Sequence, residues 1–157
     1  MDRIYPNTCS KWVNTQRHAA GMKNVRMPDI ELVRPASLAQ EVPYAYAAVT
    51  APGALVFTTG ACPLATDGTV TCPGDVAGQA AQVMDNLETA LRASGSGLDR
   101  VVKSTVYVAS SDRADLVAAW TVVRGRMGDH DAPSTLLGVA TLGWQGQLVE
   151  VEAVATR

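Results

Sequence analysis

Strict alternation of apolar and polar residues near the carboxyl terminus constrains this chain more than any other feature. From Ala132 to Arg157 it reads APSTLLGVATLGWQGQLVEVEAVATR, two runs of strand-forming residues around the turn-rich Gly143-Trp144-Gln145-Gly146. In the second run a period of two puts Val149, Val151, Ala153 and Ala155 on one face. Leu148, Glu150, Glu152 and Val154 fall on the other. Two carboxylates on one face of so apolar a strand are costly unless something lies opposite them. Solvent, a cation, a partner subunit or a substrate would each serve, and the choice decides the function.

A chain of 157 residues, 47% of them hydrophobic and 18% charged, suits one globular domain with a substantial core. No apolar run approaches the ~20 residues of a membrane helix, so no membrane partner is expected. Residues 1–28 hold five Lys/Arg and one acid, whereas residues 29–157 hold eight and fourteen. The acidic body argues against nucleic acid as a partner, because phosphate binding needs a basic face.

Three cysteines (Cys9, Cys62 and Cys72) and two histidines, without any C-x-x-C, support neither a zinc site nor a disulfide framework. Cys62 and Cys72 flank a hairpin-like loop and are expected to be buried free thiols. A reducing, cytoplasmic location fits them. No metal or cofactor is expected.

Residues 1–28 mix Pro, Asn, Lys and Arg without lasting periodicity and are expected to form a flexible extension, followed by one domain over 29–157. Within that domain Ile30 to Val33, Tyr44 to Thr50 and Ala54 to Thr59 are expected strands, with a turn at Pro52-Gly53. Gly60 to Gly74 is a loop with Asp67-Gly68 at its tip. Asp75 then caps a helix whose apolar stripe is Val76, Ala80, Val83, Leu87, Ala90 and Leu91, ended by Gly95 and Gly97.

Val101 to Val108 alternates again, with Val102, Val106 and Val108 on one face and Lys103, Thr105 and Tyr107 on the other. A second helix starts at Ser111 or Asp112, turns Leu116, Val117, Trp120 and Val123 inward, and ends at Gly128. The resulting order β-β-β-α-β-α-β-β predicts an α+β fold, a mixed sheet with two helices on one face. The other sheet face, half apolar, then lacks cover and is expected to meet sister copies in a homo-oligomer, with ligand clefts between subunits.

Several strings, in order and spacing, resemble the RidA family (reactive intermediate deaminase; YjgF or L-PSP endoribonuclease). They are Pro43-Tyr44, Phe57-Thr58-Thr59-Gly60, Gln82-x-x-x-Asn86-Leu87, Val101 to Val108 and Val149-Glu150-Val151-Glu152-Ala153. The resemblance covers about residues 30–157. It implies a chorismate-mutase-like protomer, a homotrimer with small-molecule clefts between subunits, and hydrolysis of reactive enamines or imines to a 2-keto acid and ammonia. It places the family's cleft tyrosine on Tyr44, its backbone-binding glycine on Gly60 and its glutamate on Glu150. A carboxylate there can shuttle a proton to or from an attacking water.

The family's carboxylate-clamping arginine is missing, its place taken by Ser134. Leu136 stands where the family has cysteine, and Val117 where it often has asparagine. A serine hydroxyl supplies neither the charge nor the fork of a guanidinium. Losing such a partner costs on the order of 2–5 kcal/mol around a desolvated anion. The chain thus resembles an arginine-lacking subgroup suited to a neutral or differently charged ligand.

Alternatives stay open at each position. Glu150 is a catalytic carboxylate or the partner of Lys103 or of a neighbouring subunit's arginine. Tyr44 orients a ligand or caps a core edge. Ser134 and Thr135 bind substrate through their hydroxyls or are ordinary strand residues. Arg124 and Arg126 compensate a helix dipole, and Arg124 is also a candidate substitute for the missing arginine. The leading expectation is a hydrolytic deaminase, and the second a non-catalytic metabolite-binding or regulatory trimer. Endoribonuclease activity, which the older family name suggests, is disfavoured by the acidic body and by the lack of a histidine pair.

Overall fold

The alternation at the carboxyl terminus produces the strand around which the molecule is built. The structure, a computed structural model, describes residues 30–157; the expected extension over 1–28 lies outside them. Strand β1 (Ile30–Val33) pairs antiparallel with β2 (Ala47–Thr50) as a separate two-stranded ribbon. Strands β3 (Leu55–Phe57), β4 (Val101–Val108), β5 (Ser134–Gly138) and β6 (Val149–Thr156) form one sheet in the order β3-β6-β4-β5. Only β4 and β5 run parallel, so the sheet is mixed, and β6 is paired on both sides.

Helices α1 (Val76–Ala93) and α2 (Arg113–Met127) pack against one another and cover one face of this sheet. Both start at an aspartate. Asp75 accepts a hydrogen bond from Gly78 N at 2.9 Å, and Asp112 one from Ala114 N at 2.9 Å. Each cap contributes about 1 kcal/mol. Burial of Val83, Met84, Leu87 and Leu91, all at or below 1% exposure, contributes about 1.5–3 kcal/mol per side chain. Packing, not capping, therefore holds α1 in place.

The structure corrects the α1 stripe at two positions. Ala90 is exposed, and Gln79 is fully buried. On α2, Val117 is 53% exposed while Ala119 is buried. Trp120 is half-buried against the core. Cys62 and Cys72 are free thiols, but Cys62 is half-buried and Cys72, in a left-handed turn at φ 48°, is exposed.

Along β6 the period of two survives intact: Val149, Val151, Ala153 and Ala155 are buried under the helices. Along β4 it breaks. Val101 opposes Ala155 and Lys103 opposes Val154, so Val102 is an extra residue bulged out of register. Val101, not Val102, joins Ser104, Val106 and Val108 on the buried face. Lys103, Thr105 and Tyr107 stay on the outer face as expected. A one-residue slip exchanges faces, and the bulge is what lets both ends of β4 face the core.

Candidate functional site

Strand β6 carries Glu150 on the face away from the helices, opposite Tyr107 of β4. Beside it runs the segment after β3, which hydrogen-bonds β6 through Ala61 N to Val151 O (2.8 Å) and Val151 N to Ala61 O (3.2 Å). This docking brings Gly60 under the glutamate. A Cβ built on Gly60 would lie 1.8 Å from Glu150 Oε1, so only glycine leaves room for the carboxylate where it stands.

Two neutral donors hold the other carboxylate oxygen. Gln147 Nε2 donates to Glu150 Oε2 at 2.9 Å, and the Cys62 thiol shares its one proton between the same oxygen and Gly60 O, each at 3.6 Å. Burial and then the negative charge of Glu150 push the Cys62 thiol up from its ordinary value. Among the described residues Glu150 has no cationic partner. Lys103 lies farther along β4 and donates instead to Thr135 Oγ1 at 2.5 Å.

Helix α1 fixes this arrangement from below. Asn86 Nδ2 donates to Cys62 O (2.8 Å) and Leu64 O (2.9 Å), and Gln82 Nε2 orients Asn86 through its Oδ1 at 3.0 Å. Gln79 reaches the turn before β6, donating to Gly146 O at 2.9 Å and accepting from Leu148 N at 2.7 Å. A cleft of about 440 Å³ lies between this segment and α1, lined by Val56, Phe57, Gly60, Cys62, Asn86 and Leu87. Polar residues within an apolar helical pattern were the available sequence signal for Gln79 and Asn86. No local signal marked Cys62 or Gln147.

Farther along the outer face stands a second polar group. Tyr107 donates its hydroxyl hydrogen to Glu152 Oε1 at 2.9 Å, which holds the phenol above its usual value. Burial lowers Lys103, against the opposing pull of Glu152. Thr105 pairs with Glu152 on one side and with Thr135 on the other, so these three form one row across the outer face.

The expected site residues do not all converge in one protomer. Glu150 and Gly60 meet. Thr135 shares the outer sheet face, next to Lys103. Ser134 lies in register with buried Ser104 on the helix-facing side, their hydroxyl oxygens 2.6 Å apart, and also donates to Ala132 O at 3.1 Å. Its hydroxyl is thus engaged inside the fold.

Tyr44 is half-buried, with its ring edge-on to Tyr46 at 5.8 Å between centroids. Among the described residues it shares no hydrogen bond with Glu150 or Gly60. Its segment is anchored by Arg34, which donates to Tyr44 O at 2.7 Å and pairs with Asp131 at 2.6 Å. Arg124 pairs with the other oxygen of Asp131 and donates to Gly128 O. It is therefore committed to contacts within the fold. Arg126 bridges the helices to Asp85 and Glu88. His130 places Nε2 2.6 Å from Val101 O.

The sequence model of the family described as Endoribonuclease L-PSP matches residues 35–157. The chain belongs to this family, known also as RidA/YjgF. It is 34% identical over 127 residues to the RutC family protein UK114 of Drosophila melanogaster, covering 80% of this chain and 88% of that protein. Protein DfrA of Myxococcus xanthus is 32% identical over 113 residues, covering 72% and 84% respectively. The crystal structure of YyfB, a Rid-family protein of Yersinia pestis, superposes with a TM-score of 0.76 at 25% identity, covering 83% of this chain and 100% of that one. The α+β RidA fold read from the sequence is the fold of the described residues. Among those residues no helix is long and apolar enough to cross a membrane.

Proposed function

We propose that this RidA/YjgF-family chain hydrolyses a small reactive imine, or the enamine in equilibrium with it, releasing a carbonyl product and ammonia. The observation that carries this reading is the Glu150 carboxylate, fixed over Gly60 by neutral donors and paired with no described cation. Such a group can take a proton from water as the oxygen adds to the C=N carbon. It can then return that proton to nitrogen to give the carbinolamine, and next carry the carbinolamine hydroxyl proton to nitrogen as the C–N bond breaks, the carbonyl forms and ammonia leaves. Gly60 and Tyr44 orient the ligand, and Thr135 contributes a hydroxyl.

The working assembly is a cytoplasmic homotrimer with its clefts between subunits, so that Tyr44 and Glu150 of one cleft need not come from one copy. Support for assembly comes from the outer sheet face and its edges, where Leu55, Phe57 and Leu137 are 46%, 72% and 43% exposed. With Ser134 in the arginine's place, the favoured substrate carries no carboxylate that needs a guanidinium clamp. The test mixes purified protein with enamine generated in situ by a serine or threonine dehydratase, alongside imines lacking a carboxylate. Ammonia release should accelerate, most for the latter, and acceleration with none of them rejects the reading.

The engaged Ser134 hydroxyl favours a second reading, a metabolite-binding or regulatory trimer that has kept the scaffold without the chemistry. That protein would be stabilised thermally by a metabolite without turnover, and Glu150→Gln would leave binding largely intact.

A further inference from the structure

Glu150 is presented asymmetrically. Both hydrogen bonds to its carboxylate end on Oε2, from Gln147 and Cys62, while Oε1 lies over the bare Cα of Gly60 and accepts none from a described residue. Gln147 is itself 4% exposed, and every part of its amide is used. Its oxygen accepts from Trp144 N at 3.0 Å, and its nitrogen donates to Val149 O at 3.2 Å and to Glu150. A buried amide satisfied in this way has one orientation, because a flip would set oxygen against the carboxylate and against a carbonyl. The Cys62 thiol is fixed by its own backbone, which Asn86 clamps from α1.

We infer that Gln147 and Cys62 are positioning residues that saturate Oε2 of Glu150 and leave Oε1 as the oxygen that meets the ligand. This assignment rests on Glu150 being the working carboxylate. It gives the turn before β6 a role in the chemistry that its exposed, glycine-rich sequence does not suggest. Donors to Oε2 keep the carboxylate aimed, and the glycine below Oε1 gives a ligand access that any side chain would block.

The experiment reads Cys62 as a reporter inside the full-length protein, with Cys9 and Cys72 replaced by serine, by following its alkylation with iodoacetamide. Glu150→Gln removes the adjacent charge and should speed alkylation at neutral pH by about three- to tenfold, equivalent to half to one pH unit in thiol ionisation. Gln147→Met removes a donor that favours the Cys62 thiolate, and should slow alkylation. In turnover assays Gln147→Met should lower kcat about tenfold with little change in KM. Cys62→Ala should lower it less, and Cys62→Ser should recover most of that loss. Alkylation rates indifferent to both substitutions, or an unchanged kcat in Gln147→Met, would overturn the assignment. If the alkylation arms respond while the wild-type protein turns over no imine, the geometry stands and the deaminase reading fails.

Discussion

Arg34 of the strand ribbon lies 2.6 Å from Asp131, the residue that leads into β5. The contact joins the two pieces of the fold whose strands do not hydrogen-bond to each other, with Ala45 N to Asp131 O (2.8 Å) reinforcing it. Arg124 grips the same carboxylate from the end of α2. Asp131 is thus the junction on which the Tyr44 segment depends. Asp131→Asn, which removes the charge at constant size, should destabilise the protein by about 1–2 kcal/mol, allowing for partial solvent screening. Urea denaturation measures the loss, and a change within error would show the junction to be dispensable.

The bulge in β4 makes opposite forecasts for adjacent valines. Val101→Ala should cost about 1.5–3 kcal/mol, since its side chain is fully buried. Val102→Ala should cost less than about 1 kcal/mol. Simple alternation from Val106 and Val108 gives the reverse order, so thermal or chemical denaturation of the pair discriminates directly.

Gly60→Ala tests the close approach beneath Glu150. The added methyl would meet Oε1, so the carboxylate must swing aside. Because the substitution perturbs the site and not the core, the protein should fold while kcat/KM falls by about ten- to hundredfold. Circular dichroism and imine turnover on the same sample check both halves of the expectation.

Tyr107 gives a pH signature. Its hydrogen bond to Glu152, then burial and the charge of Glu152, favour the protonated phenol in the folded state. The stabilisation is therefore whole below the unfolded tyrosine value of about 10 and is lost as pH rises through the higher folded value. Wild-type stability should fall more steeply at alkaline pH than that of Tyr107→Phe, measured by denaturation across that range. Parallel curves would show that the hydroxyl contributes nothing.

Strand and helix identities were legible because their apolar periods differ and because Asp75 and Asp112 stand where caps belong. Glu150 and Gly60 were legible as a pair only through the family resemblance, since ninety positions separate them in the chain. The bulge at Val102 was not, because either valine satisfies the local pattern and only pairing with β6 chooses between them. Gln79 and Gln147 were missed for a shared reason. An amide is read as surface unless its partners are known, and both find theirs in backbone groups of distant or turning segments. Strand register, which local alternation does not set, decides which side of the sheet the Ser134 hydroxyl serves.

Gln79 carries one last consequence. It stitches helix α1 to the bend ahead of the final strand and so couples the opening of the two. When the helix opens, the bend is released with it and the glutamate loses its bearings in the same event. Amide exchange at Leu148 should then track that of the helix interior, not that of the neighbouring exposed bend.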